Sequence, residues 1–182
     1  MFFSTKNYFF LSLVFLFLAS CSTDDDSGVI PEQSPNLSQA LDGANLTSLA
    51  EAINAIDELE IDLVSAPAIT VFAPTNEAFD QAIEAYEVDT LNQLIDAIGG
   101  LENLETLLGF HVIPTVAFSS SFTEGVQSLA TLSDQEITII VDDSGVQVAD
   151  LQGNSANVTT VDIEIENGVV HIIDQVLLPE FN

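Results

Sequence analysis

One basic side chain stands against 29 aspartates and glutamates in this chain of 182 residues, for a formal charge of −28. That ratio decides how such a chain can fold. No buried carboxylate in its body can be neutralised by lysine or arginine, so the fold must rest on apolar packing and hydrogen bonds. With 47% hydrophobic residues there is apolar material for one domain of ordinary size. The same field repels phosphate backbones, so nucleic acid is not an expected partner. With no lysine or arginine left to hold a phosphate once the segment carrying Lys6 is removed, a nucleotide enzyme is not expected either. One cysteine and two histidines, His111 and His171, rule out a disulfide framework and a four-ligand zinc site. No cofactor is expected.

The lone cation, Lys6, precedes an apolar run of 11 residues, Tyr8 to Leu18. That run is too short to span a bilayer comfortably but suits the core of a secretory signal. Leu18-Ala19-Ser20-Cys21 follows and resembles the lipobox of bacterial lipoproteins, in which the thiol receives a diacylglycerol thioether. Residues 1–20 are therefore expected to be a removed signal, and Cys21 the lipid-attachment residue that makes the membrane a partner. Residues 21–36 read as a flexible acidic tether carrying Pro31 and Pro35. Asp24-Asp25-Asp26, just after the cysteine, resembles the export tag of surface-displayed lipoproteins in some Gram-negative lineages. The bland alternative is that acids there only keep the protein off the inner membrane. An outer-membrane lipoprotein, with surface exposure left open, is the expected location.

Residues 37–182 contain no linker or repeat and read as a single domain. Leu46, Leu49, Ile53 and Ile56 recur at helical spacing, as do Phe79, Ile83 and Tyr86. Leu91, Leu94, Ile95 and Ile98 predict a third helix ended by Gly99-Gly100, and Leu101 to Leu108 a fourth ended by Gly109. Ile69 to Phe72 reads as a strand among these helices. Beyond them the period becomes two. Ile137, Ile139 and Val141 alternate ahead of a turn at residues 142–145, and Thr159, Val161, Ile163 and Ile165 read as an inward set. Asn167-Gly168 then predicts a hairpin whose two turn residues have positive φ. The fold class is α+β.

Two segments are more specific. Thr70-Val71-Phe72-Ala73-Pro74-Thr75-Asn76-Glu77-Ala78-Phe79 runs from strand into a helix that Thr75 can cap. Asn167-Gly168-Val169-Val170-His171-Ile172-Ile173-Asp174 stands near the carboxyl end, and Leu107 to Pro114, containing Phe110-His111, lies between. In that order the three segments resemble the signature motifs of the fasciclin domain. The resemblance implies a wedge of β-strands packed with several α-helices, an extracellular adhesion role and no catalytic constellation. It also implies a binding position at Phe110 and His111, where the family has a Tyr-His pair; Phe110 lacks the hydroxyl. On that placement His111→Ala is expected to cost less stability than a core truncation.

The histidines are the only residues suited to general base work near neutral pH. Ser119-Ser120-Ser121 is no nucleophile elbow, so a hydrolase using His111 or His171 is the weakest reading. The leading one is a non-catalytic, lipid-anchored envelope module that binds an extracellular protein or polysaccharide. Its rival is a structural envelope component assembling with other lipoproteins. No dedicated calcium loop is present, and weak divalent-cation bridging between acidic surfaces is the most that composition suggests. One prediction needs no structure. If residues 1–20 are removed, trypsin should cut the mature chain nowhere even when unfolded; tryptic fragments from tag-free mature protein would contradict the cleavage assignment.

Overall fold

The run Ile69–Pro74 is buried along its whole length, as required of a strand covered on both faces. In the computed structural model, which describes residues 34–56 and 66–181, the strand lies inside one compact unit, Gln33–Asn182. The described residues form helices α1 (Leu37–Gly43), α2 (Thr47–Asn54), α3 (Asn76–Ala85), α4 (Leu91–Ile98) and α5 (Leu101–Phe110). The strands are β1 (Ile69–Pro74), β2 (Val112–Ile113), β3 (Gly125–Ala130), β4 (Glu136–Asp142), β5 (Gly145–Ala149), β6 (Ser155–Ile165) and β7 (Gly168–Ile173). They make a seven-stranded sheet in the order β2-β1-β7-β6-β5-β4-β3. Only β1 and β7 pair in parallel, with Phe72 opposite His171; every other neighbour is antiparallel. The ends of the sheet approach each other where Leu132, just past β3, donates its N–H to the Val112 carbonyl of β2. The α+β expectation holds.

Alternation along β1 and β7 divides the interior in two. Ile69, Val71 and Ala73 join Val170 and Ile172 in a cluster with the helices. Phe72 and Ile173 face the other way, into a cluster with Phe110, Ile113, Ile137, Ile139, Val148 and Leu177 inside the curled sheet. β6 serves both clusters. Ala156 and Val158 point into the sheet's interior, while Ile163 and Ile165 pack toward the helices. The change of side is made by register shifts between Val158 and Thr160 and between Thr160 and Ile163. The single inward set expected from Thr159 to Ile165 is therefore wrong in its first half: Thr159 is exposed and Val161 is 41% exposed.

Local chemistry explains the helix ends. Thr75 Oγ1 accepts from Ala78 N–H as expected, and Gly99 closes α4 at φ 109°. Gly109 does not end its helix; it is buried within α5, which runs on to Phe110. α1 was not anticipated. Its cap is Asn36, assigned above to the end of the tether, which forms a reciprocal capping box with Gln39. Pro35 is likewise tied to the body through its carbonyl, which accepts from Glu166 N–H. α2 lacks a side-chain cap of its own, and Asn76 supplies one from α3: its Oδ1 accepts from Ser48 N–H at 3.0 Å.

The β6–β7 hairpin corrects one expectation and keeps its conclusion. Ile165 pairs with Gly168, so the turn residues are Glu166 and Asn167, and neither Asn167 nor Gly168 has positive φ. Gly168 is needed for a different reason: a Cβ there would lie 1.8 Å from the Ile69 carbonyl oxygen of the paired strand. Gly168→Ala should thus destabilise the domain by about 3 kcal/mol, through overpacking against backbone that cannot swing away. Phe72→Ala should cost about 3–5 kcal/mol through the cavity it leaves. Gly43→Ala, where a Cβ would meet nothing within 4 Å, should be close to neutral. Urea denaturation of the three variants checks this ranking.

Candidate functional site

Phe110 and His111 close α5, and the structure puts both inside the protein: Phe110 is 0% and His111 2% exposed. His111 is fully used there. Leu177 N–H, which can only donate, points at Nε2 from 3.0 Å, so Nε2 carries a lone pair and Nδ1 the proton. Nδ1–H donates to the Leu107 carbonyl at 2.7 Å. The neutral ring thereby ties the end of α5 to the carboxyl-terminal strap. Burial pushes its pKa down to about 4, against smaller opposing effects of the Leu107 carbonyl and the Asp150 charge. The expected contact pair is corrected on this point. As folded, neither residue offers atoms to a partner, and His111 belongs to the core that its substitution was expected to spare.

Two further side chains hold the same strap. Asp150, itself buried, accepts from Leu178 N–H at 3.2 Å and from Gln152 N–H, Asn154 N–H and Asn154 Nδ2–H, each at 2.9 Å. Gln135 meets Glu180 twice: its Oε1 accepts from Glu180 N–H and its Nε2 donates to the Glu180 carbonyl, both at 2.9 Å.

The second histidine does a parallel task in the opposite tautomer. Asp162 N–H donates to His171 Nδ1 at 3.2 Å, leaving the proton on Nε2, which donates to the Ala117 carbonyl at 2.9 Å. The ring lies between Phe72 and Phe122, with centroids 5.5 Å and 5.7 Å away. Burial lowers its pKa too, opposed by the Ala117 carbonyl and the Asp162 charge. Thr70, buried on β1, donates to the Thr115 carbonyl and accepts from Ala117 N–H at 2.8 Å. Asp162, at φ 61° in the β6 bulge, accepts from Ser119 N–H at 2.7 Å and from the Ser119 hydroxyl. Desolvation alone would raise that carboxyl; the two Ser119 donors hold it below its usual range.

Thr70, His171 and Asp162 together staple the segment that leads from Pro114 to Ser119. Serine, histidine and aspartate meet here in an order that does no acyl-transfer chemistry. The Ser119 hydroxyl donates to the carboxylate, and both His171 nitrogens are bound to backbone groups. Asp174 lies apart from this group and pairs with Asn157. Among the described residues no group of three or more histidines, cysteines or acids could hold a metal. What the staples present is surface: Val116 and Phe118 on the held segment, and Val161 beside Asp162, are all exposed. From Thr115 to Ala130 the chain carries one acid, Glu124. So acid-poor a stretch in so acidic a chain is a readable signal of this surface, where the family motif points instead to Phe110-His111. Cys21 and Asp24 to Asp26 lie outside the described residues.

Comparison with known proteins agrees with this architecture. The profile of the fasciclin domain matches residues 44–179. The Synechocystis protein sll1483 is 30% identical over 97% of this chain and 94% of its own length. The cell surface glycolipoprotein MPB83 of Mycobacterium bovis is 32% identical over 81% of this chain and 61% of its own. Among solved structures, a FAS1 domain pair from the insect cell adhesion molecule Fasciclin I superposes with a TM-score of 0.55. It is 23% identical, over 74% of this chain and 46% of that one, and shows the fold. The chain belongs to the fasciclin domain family.

The two neutral rings make stability depend on pH in one direction. His111 binds its proton near pH 6.5 when unfolded and near pH 4 when folded, so the unfolded state holds more protons between those values. The stability it contributes is complete above pH 6.5 and is lost as pH falls toward 4, by about 3 kcal/mol. His111→Gln should be less stable than wild type at pH 7, and that difference should shrink by about this amount by pH 4. Urea titrations of both proteins at matched pH check it, since the titration of all other groups is common to the two.

Proposed function

We propose that this fasciclin-domain protein is a non-catalytic binding module, anchored to the outer cell envelope by lipid on Cys21. In this reading it holds the uncharged Val116–Phe118 surface toward an extracellular protein or polysaccharide of its surroundings. The observation that carries it is the order of parts. A lipobox-like Leu18-Ala19-Ser20-Cys21 stands ahead of a self-contained fasciclin body, and a relative bears the name of a cell surface glycolipoprotein. Two or three acyl chains anchor stably at about 0.8 kcal/mol per buried methylene, where a single chain does so only marginally. The body supplies a rigid platform, because the buried Thr70 and His171 and the half-buried Asp162 fix the presented segment. Both histidines are occupied by backbone partners, which favours binding over turnover.

The experiment follows the anchor and the surface separately. Wild-type protein should enter the detergent phase with an intact mass that includes the lipid, and Cys21→Ala should remain in the aqueous phase or stay unprocessed. An unmodified Cys21 in mature protein would sink the anchor. Proteinase K added to intact cells should remove the domain; protection would favour the structural envelope component that is the rival reading. Val116→Asp with Phe118→Asp should leave display and melting temperature unchanged while reducing aggregation of cells that carry the protein by about tenfold. Undiminished aggregation would remove that surface from the account.

A further inference from the structure

β3 is the last strand of the sheet, and among the described residues no strand pairs with its outer edge. β4 pairs with it from Gly125 to Ala130, and among the described residues its backbone makes no bond outside that ladder. Among the described residues the sheet is tied back toward β2 beyond the strand, at Leu132. Edge strands of soluble proteins are commonly blunted by lysine, proline or an inward charge, because an unpaired row of N–H and C=O groups templates another strand. Gly-Val-Gln-Ser-Leu-Ala carries none of these. Val126 is 73% exposed, the most exposed large apolar side chain among the described residues.

Charge surrounds this neutral edge on both sides. Glu124 precedes β3, and Asp142 and Asp143 follow the β4 residue that pairs with Gly125. At the other end Glu136 pairs with Ala130, and Asp134 lies in the connecting turn. All five carboxylates are exposed. The intervening strand of six residues spans about 20 Å. We infer that β3 is a docking edge for an extended polypeptide segment of another protein, uncharged over about six residues and basic at both ends. Backbone pairing supplies the eighth strand, and the flanking ammonium or guanidinium groups meet Asp142 and Asp143 at one end and Asp134 and Glu136 at the other.

The same geometry disfavours two other occupants. A second copy pairing antiparallel through β3 would set the Glu124–Asp142 end of one protomer against the Asp134–Glu136 end of its partner, acid on acid at both ends. The chain's own tether carries Asp24-Asp25-Asp26 and no cation. This inference names a partner class for the binding reading above, but it uses a different surface from Val116 and Phe118.

The test uses the full processed chain in non-ionic detergent and a synthetic probe: a capped peptide with two lysines at each end and six alternating threonines and valines between. Three controls accompany it: the same peptide with its central valine replaced by proline, one with glutamates for the lysines, and the Val126→Lys protein. The probe should bind about tenfold more tightly than either control peptide, and about tenfold more weakly to Val126→Lys at unchanged melting temperature. Binding should weaken as salt rises from about 0.15 M to about 1 M, where the screening length falls from about 8 Å to about 3 Å. Amide exchange should slow within residues 125–130 and nowhere else in the sheet. Equal binding of the proline peptide would reduce the effect to diffuse attraction of cations and overturn the proposal. Salt-strengthened association of the chain with itself, slowing the same amides, would overturn it in favour of a second copy. Either result would leave the adhesion reading standing, because that reading is tested separately, by the Cys21, proteinase K and Val116/Phe118 experiments.

Discussion

Hydrogen bonds from neutral groups hold every buried polar side chain of this fold, because the described residues contain neither lysine nor arginine. No buried side-chain nitrogen or oxygen among them lacks a partner. Asp150 shows what that requires. A buried carboxylate without a counter-ion needs its charge spread over several donors, and it has four N–H groups, one of them from the distant strap at Leu178. The histidines follow the same rule from the other side. A protonated ring in either position would have to give up an acceptor nitrogen that a backbone N–H already occupies. Each stays neutral, and each fixes a tautomer.

Those ties sit where the architecture would otherwise be loose. β1 and β7 form the rigid centre, buried on both faces and packed too closely at Gly168 for any side chain. Outward from them the chain runs in segments that no ladder holds: the strap beyond β7 and the passage from β2 to β3. His111, Asp150 and Gln135 pin the first, while Thr70, His171 and Asp162 pin the second. The interior thus determines where uncharged surface is presented, and the acids are left to the rest of the exterior. A carboxylate-rich surface keeps copies of the chain apart and draws cationic partners toward it, so neutral patches acquire meaning by contrast.

Much of this was legible in the sequence wherever the physics is local. The strand-to-helix passage from Thr70 to Phe79, the Thr75 cap and the Gly99 stop each depend on neighbours within four residues, and each was found. The capping box of Asn36 and Gln39 was equally local and was missed, because two prolines and an acidic run made the preceding segment read as tether. Gly168 was recognised for the wrong reason: a hairpin motif suggested its conformation, whereas the true constraint is Ile69, on a strand from the other end of the domain. The β6 pattern failed because register shifts change the face of a strand without altering its composition. Phe110-His111 failed as a surface site because the groups that bury and bind it, Leu177 above all, lie 66 residues on. Periodicity reports which residues want to be inside; it does not report which polar residue will be drawn in with them.

Two neutral histidines, in opposite tautomers, fasten the two unladdered segments to the core. Long-range nitrogen–proton correlation NMR on ring-labelled protein at pH 7 tests it directly. The account predicts His111 protonated on Nδ1 alone and His171 protonated on Nε2 alone, with neither ring charged. Finding both rings in one tautomer, or either one doubly protonated in the folded protein at that pH, would contradict it.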